Sequence, residues 1–364
     1  MNCLKNIDRI SFSPELVKTL TNLYTFKGKD FYYEKELSDY MKGIVQETIE
    51  KDTIYAGKIF GLNVKDTRER LVVMKDSEPK TKDEKILANL KKIFKIIQEN
   101  GSDLIVDSNE FLKLAVMLFK DVSDVKFNTE IVTVQSSLIP DKRSVSKRDT
   151  LSEALKLYID IINGNKMEYT QAITNLYIDL LHLDIFSEKN DFISLLIAYC
   201  LLFRAGFKVF KQVSFFELYY NNLKEFEVYT AEAGFKYEVG FSDTEKLNRK
   251  LIEIMIDGYK NIEVNISRKN FDHQTGKKDT VMSAIMHLPQ TFTKEDVKRA
   301  CPKFSDSTVQ RALIELRDNG KIKPNGTGRS ATWTKIVPDE QFSSRLGQMT
   351  IEDVLESPTD YSIK

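Results

Sequence analysis

Apolar residues recur at helical spacing from Ser13 to about Asn100, in stretches joined by polar turns, and the spacing predicts a series of amphipathic helices. Ser13-Pro14-Glu15 opens the first, a capping hydroxyl followed by proline at a position where no backbone N–H is missed. Residues 83–98 carry Ile86, Leu87, Leu90, Phe94 and Ile97 on one face, and Asn100-Gly101 stops that helix. The pattern changes at 125–134 (VKFNTEIVTV), which is rich in β-branched residues and predicts a short strand or hairpin. A Ser- and Lys/Arg-rich stretch containing Pro140, residues 136–147, follows and reads as a loop. Helices resume at 150–162 (capped by Thr150), 169–183 and 190–203, the last closed by Arg204-Ala205-Gly206-Phe207. Residues 243–266 make another long helix, 267–278 read as a polar linker, and a new unit starts near Thr280.

That unit reads as three short helices and a hairpin. Residues 280–287 form the first helix. Thr293 caps the second, with Asp296 three residues on as in a capping box, and Ser305 caps a third that buries Val309, Ala312, Leu313 and Leu316. Residues 321–337 (KIKPNGTGRSATWTKIV) read strand, Asn-Gly turn, strand. FSDSTVQRALIELRDNGKI resembles the winged-helix domains of bacterial regulators. The resemblance places Asp306, Ser307, Thr308, Gln310 and Arg311 on the exposed start of a recognition helix, and Lys321, Lys323 and Arg329 on the wing, where DNA would be met. Lys294–Lys335 hold ten basic and five acidic residues, a local excess suited to phosphate neutralisation. The same unit would also serve as a protein-docking or dimerisation module.

Composition narrows the rest. The 364 residues balance 54 Lys+Arg against 54 Asp+Glu, which excludes a wholly nucleic-acid-coating protein. With 15 Gly and 8 Pro, helix is favoured over an all-β architecture. Cys3, Cys200 and Cys301 are scattered, and His182, His273 and His287 make no metal-binding spacing, so neither disulfide framework nor metal site is expected. No signal-peptide pattern opens the chain, and the apolar run 195–203 is far short of the ~20 residues that span a bilayer. It reads as a buried helix, with Cys200 as core filler, in a cytoplasmic protein.

Residues 182–207 read HLDIFSEKNDFISLLIAYCLLFRAGF and resemble the Fic family. Its motif, His-x-Phe-x-(Asp/Glu)-Gly-Asn-Gly-Arg-x-x-Arg, precedes a Leu-rich helix ending in Arg-Ala-Gly-aromatic. Anchored on Arg204-Ala205-Gly206-Phe207, the alignment puts Asp184 at the His, Phe186 at the Phe, Glu188 at the acid and Asn190 at the Asn. Lys189 and Asp191 replace the two glycines, Phe192 and Leu195 the two arginines, so three of eight positions survive. His182 lies two positions early and reads as structural. The resemblance implies a mainly α fold: an N-terminal helical domain (1–100), a Fic core with a hairpin flap near 125–140 (101–225), connecting helices and linker (226–279), the winged helix (280–337) and a tail (338–364).

In the family the His is the general base on a target hydroxyl, the acid holds Mg²⁺ and the arginines clamp ATP phosphates. Here Asp184 is a poor base, Asp191 puts negative charge where phosphate would sit, and both clamps are apolar. Many Fic proteins also carry an inhibitory (Ser/Thr)-x-x-x-Glu-(Gly/Asn) helix whose Glu pairs with the second Arg. Residues 53–61 match it with Ala56, Phe60 and Gly61, so the acid has gone with its partner, and Phe60 is expected to meet Leu195. The implied function is a degenerate Fic protein without AMP transfer, regulating through DNA, with no cofactor. The alternative is a divergent protein adenylyltransferase using Asp184 as base, Glu188 for Mg²⁺, and ATP, with Phe186, Lys189 and Asn190 as the rest of its nucleotide loop. A homodimer and a protein target are compatible with either, and no membrane is involved.

Overall fold

The computed structural model describes residues 1–9, 12–136, 139–274, 281–282, 284–285, 288–302, 304–326 and 331–336. It divides into two compact units, Met1–Ile266 and Ser267–Lys364. In the first, Ser13 caps as expected: its hydroxyl accepts the Leu16 N–H at 3.1 Å, and helix α1 (Pro14–Lys27) follows. Helices α2 (Asp30–Leu37), α3 (Met41–Phe60), α4 (Asp66–Lys75), α5 (Lys82–Asn100) and α6 (Ser108–Leu118) come next. A hairpin of β1 (Thr129–Ser136) and β2 (Ile139–Ser146) interrupts them. Then come α7 (Arg148–Asn163), α8 (Tyr169–Leu183), α9 (Asn190–Arg204), α10 (Phe215–Asn221), α11 (Leu223–Gly234) and α12 (Glu245–Gln274). The architecture is mainly α with a short hairpin, and one hydrophobic cluster runs through it from Cys3 to Ile266, so residues of 1–100, 101–225 and 226–266 share a core.

Helix α9 lies in the middle of that core. Of its residues from Phe192 to Phe203 all but Ala198 are buried, because the helix is apolar on every face and no orientation would leave a wet side. Cys200 is fully buried, and burial pushes its thiol up to about 12, in keeping with a packing role. Two polar side chains are buried with it: Ser194, whose hydroxyl donates to the Asn190 carbonyl at 2.6 Å, and Tyr199. The Tyr199 hydroxyl donates at 3.0 Å to Oδ2 of Asp52, a fully buried residue of α3, whose Oδ1 accepts from Ser214 Oγ at 2.6 Å and the Phe216 N–H at 3.0 Å. One carboxyl thus ties α3, α9 and the start of α10 together.

Three expectations are corrected. Of residues 136–147, Ile139–Ser146 are strand rather than loop: β2 pairs antiparallel with β1 from Thr129↔Ser146 to Ser136↔Ile139. Pro140 and the charged residues are tolerated because each strand of a two-stranded sheet has a free edge. Helix α7 begins at Arg148 with Lys147 at its cap and no side-chain capping bond, so Thr150 is not the cap. The linker at 267–278 is helical as far as Gln274, since nothing before Gly276 breaks the helix.

In the second unit β3 (Thr291–Thr293), α13 (Lys294–Ala300), α14 (Asp306–Asp318), β4 (Ile322–Asn325) and β5 (Thr332–Lys335) surround a separate core. Thr293 and Asp296 form the expected capping box, and Ser305 caps α14. Val281 and Ile285 join this core from the expected first helix, of which 280, 283, 286 and 287 lie outside the described residues. Strand β3 was not expected, and it makes the sheet three-stranded in the order β3-β5-β4. The expected Asn-Gly turn is corrected: Asn325 still pairs with Thr332 as part of β4, so the connection is longer than two residues, and Gly326 leaves the strand at φ +98°. Among the described residues no helix is long and apolar enough to cross a membrane.

Burial raises the Asp52 pKa to about 7, against the opposing pull of its three donors. The folded state therefore binds a proton that the unfolded state has already released, and this group's contribution to stability falls as pH rises from about 4 to about 7. Urea unfolding of the wild type and of Asp52→Asn should diverge across that window, the wild type losing up to ~1.4 kcal/mol per pH unit relative to the variant. A difference that stays constant with pH would mean that the three donors keep the carboxylate ionised.

Candidate functional site

The residues singled out in the motif lie where α8 ends and α9 begins. Asp184 ends α8 in the left-handed region (φ +47°), and Lys189 opens α9 the same way (φ +42°). Lysine is strained there by ~1–2 kcal/mol. Between them the loop folds back on Asn190. Its Oδ1 accepts the N–H groups of Ile185 at 2.8 Å and Phe186 at 3.1 Å, and its Nδ2 donates to the Leu180 carbonyl at 3.0 Å. Phe186 and Ile185 are buried, whereas Asp184, Glu188 and Lys189 are exposed.

The chain entering the hairpin holds the outer side of the loop, and sequence reasoning missed it. Asn128 donates its N–H to the Ile185 carbonyl at 2.8 Å, and the Ser187 N–H donates to the Lys126 carbonyl at 3.0 Å. The Asn128 side chain donates to Asp184 Oδ2 at 3.1 Å and to the Asp184 and Phe186 carbonyls at 2.9 and 3.1 Å. Lys147 Nζ donates to the Leu183 carbonyl at 2.7 Å and the Asp184 carbonyl at 3.2 Å. The ring of Phe127 lies 5.7 Å from that of Phe186. The sequence signal was that Phe127 and Asn128 fall inside the β-branched stretch, for which a short strand or hairpin is expected; Lys126, Phe127 and Asn128 pair with the loop before β1 begins at Thr129.

On the inner side the end of α3 meets the start of α9. Phe60 packs edge-on against Phe192 at 5.1 Å and against Phe119 at 5.8 Å, and Lys189 Nζ donates to the Phe60 carbonyl at 3.1 Å while lying 5.0 Å from its ring. Gly61 caps α3 with φ +88°. Phe60 thus meets Phe192, one turn before Leu195, and Leu195 lines a small apolar cavity with Ile173, Tyr177 and Phe226. His182 is stacked on Tyr237 with centroids 3.9 Å apart, a structural placement. Among the described residues no cluster of three His, Cys, Asp or Glu groups could hold a metal ion.

In the second unit Ser307, Gln310 and Arg311 are exposed on α14, opposite the buried Val309, Ala312, Leu313 and Leu316, and Thr308 is half-buried. The Ser305 hydroxyl bonds those of Ser307 at 2.8 Å and Thr308 at 3.0 Å. Lys298 pairs with Asp306 and holds that carboxyl below its usual range. Lys321 and Lys323 are exposed at the start of the hairpin, and Arg329 lies outside the described residues.

No family model matches the chain, and no curated protein matches it. Among solved structures it is similar to a Fic family protein from Desulfovibrio desulfuricans G20, with TM-score 0.51 and 12% identity over 90% of this chain and 98% of that one. A Fic domain containing signaling protein from Bacteroides thetaiotaomicron VPI-5482 aligns at TM-score 0.48 and 13% identity, over 66% of this chain and 96% of that one. The fold of the chain is a Fic fold.

Asn190 carries the loop. Asn190→Ala removes three hydrogen bonds, two of them to backbone N–H groups that would be left without that partner, at a cost of ~2–3 kcal/mol. Thermal melting of the full chain should fall by several degrees, with faster hydrogen exchange at the Ile185 and Phe186 amides. An unchanged melt and unchanged exchange would show that Asn128 and Lys147 hold the loop without it.

Proposed function

We propose that this is a Fic-fold protein that no longer transfers nucleotide and that acts as a regulator, its second unit serving as a DNA-binding winged helix. The contact of Phe60 with Phe192, with Lys189 Nζ turned onto the Phe60 carbonyl, is the observation that carries the first half of the reading. In Fic enzymes the corresponding region pairs an inhibitory acid with an arginine that otherwise clamps phosphate. An aromatic pair in that place offers no charge to a phosphate, and the Ile185 and Phe186 amides of the loop already donate to Asn190. Each missing charge-assisted contact to phosphate forgoes ~1.5–3 kcal/mol. Asp191 in the first turn of α9 adds repulsion where the helix N-terminus would otherwise attract an anion.

The second half rests on the exposed polar start of α14 beside a hairpin, in a unit with a basic excess. Phosphates would be met by Arg311, Lys321 and Lys323, and base edges by Ser307 and Gln310, with Thr308 closing the cap; Arg329 would extend the wing. No metal, ATP or other cofactor enters this mechanism. Protein partners, including a second copy of the chain, would act by changing how the second unit is presented.

Two measurements test the reading. The full chain should bind duplex DNA with an affinity that falls as salt rises, with a log–log slope of about −0.9 per phosphate neutralised, and Arg311→Ala with Lys323→Ala should lower both affinity and slope. Salt-independent binding, or none at low salt, would remove the DNA half. Incubation with labelled ATP, CTP, GTP or UTP and Mg²⁺ should leave no covalent mark on the chain, in the wild type or in Phe60→Ala. A label that Asp184→Ala abolishes would establish the transferase reading instead.

A further inference from the structure

The motif loop sits at the start of α9; the other end of the same helix opens on a cleft of about 710 Å³. Its walls are Ser102 to Val106, the last turns of α7, Tyr169 at the start of α8, and Arg204 and Ala205. Close packing shapes it. A Cβ on Gly101 would lie 2.9 Å from the Phe203 side chain, so only a bare backbone lets this turn press against α9. The floor is apolar, from Val106, Ile159 and Ile162, and Tyr158 joins it almost wholly buried.

The polar groups are few and positioned. Arg204 donates from Nη1 to the Leu104 carbonyl at 2.7 Å, which fixes the guanidinium and leaves four of its N–H groups for other acceptors. No carboxylate pairs with it among the described residues. Burial pushes the Tyr158 phenol up, so it remains a donor. Glu168, which acts on the same phenol, is already engaged: Oε2 accepts from the Thr170 and Gln171 N–H groups at 2.8 and 3.1 Å, and Oε1 from the Tyr24 hydroxyl at 2.7 Å. Among the lining residues the opposing charge is Asp103, which is exposed, and the Glu168 carboxylate adds to it from beside the phenol.

A cleft lined by Val106, Ile159, Ile162 and two tyrosines, with a fixed planar fork of donors at Arg204, suits a carboxylate on an aromatic body. Free phosphate would leave the floor uncovered, and a cation would face Arg204. We propose that this cleft binds a small aromatic carboxylic acid, independently of the DNA reading and of the motif loop.

The test uses the full chain with ¹³C-labelled isoleucine methyls and three probes of one shape: 4-methylbenzoate, 4-methylbenzamide and 4-methylbenzylamine. The acid should shift the Ile159 and Ile162 methyl signals saturably. The amide and amine should bind about tenfold more weakly or worse, as should the acid to Arg204→Met, the loss expected for a charge-assisted bidentate contact. Tyr158→Phe removes only a hydroxyl and keeps the packing; it should weaken the acid roughly threefold, and it carries the test if Arg204→Met does not fold. No saturable shift up to the solubility limit, equal binding of the amide or amine, or unchanged affinity in the folded variants would overturn the proposal.

Discussion

A helix with no polar face has to be enclosed, and the first unit is organised around that requirement. Phe192, Ile193, Leu196, Ile197, Leu201 and Leu202 leave α9 no side that could face water, so neighbouring helices must cover it completely. The one phenol inside, Tyr199, then needs an acceptor, and Asp52 supplies it from α3. The same carboxyl accepts from Ser214 and Phe216, so the enclosure is located as well as closed. An aromatic shell of Phe94, Phe203, Phe215 and Phe216, with centroids 5.0–5.9 Å from that of Tyr199, fills the space around it. Both ends of α9 inherit their positions from this packing: the Asn190 loop at one, the Arg204 cleft at the other.

The loop at the start of α9 shows how residues suited to chemistry are turned inward. The Asn190 side chain spends its hydrogen bonds on two loop amides and the Leu180 carbonyl of α8, and Lys189 reaches across to the end of α3. Phe60, half-buried, closes the space between α3 and α9 with Phe192 and Phe119. Asp184, Glu188 and Asp191 present carboxyl groups to solvent, and Asn128 holds the first.

Much of this was readable from spacing alone. The helical periodicities of 83–98, 169–183 and 190–203 were strong because each has a long apolar stripe and a recognisable stop. Asn190 and Phe186 could be placed by motif resemblance, but their roles as loop staple and buried anchor could not, since those depend on backbone groups that sequence does not locate. Asp52 gave no sign at all: a single acid in an amphipathic helix looks like a surface residue until its three donors, from α9 and the start of α10, are in place. The second strand of the hairpin was hidden because polar, Pro-containing residues form strands only when an edge is left free. Phe192 as a partner of Phe60 was not named from sequence, because rotation about a helix axis is undecidable there.

The sheet of the second unit has its last strand in the middle. Phe292 of β3 lies opposite Trp333 of β5, and β5 also takes β4 as its other partner. During synthesis α13 and α14 therefore emerge with their apolar faces uncovered, and neither β3 nor β4 has a neighbour until some forty residues after Phe292 have left the ribosome. The unit cannot be assembled piecemeal from its N-terminal side. Arrival of Trp333 closes its core and pairs its strands in a single step, so a chain interrupted anywhere before that residue would present an open, sticky intermediate to the cell's quality control.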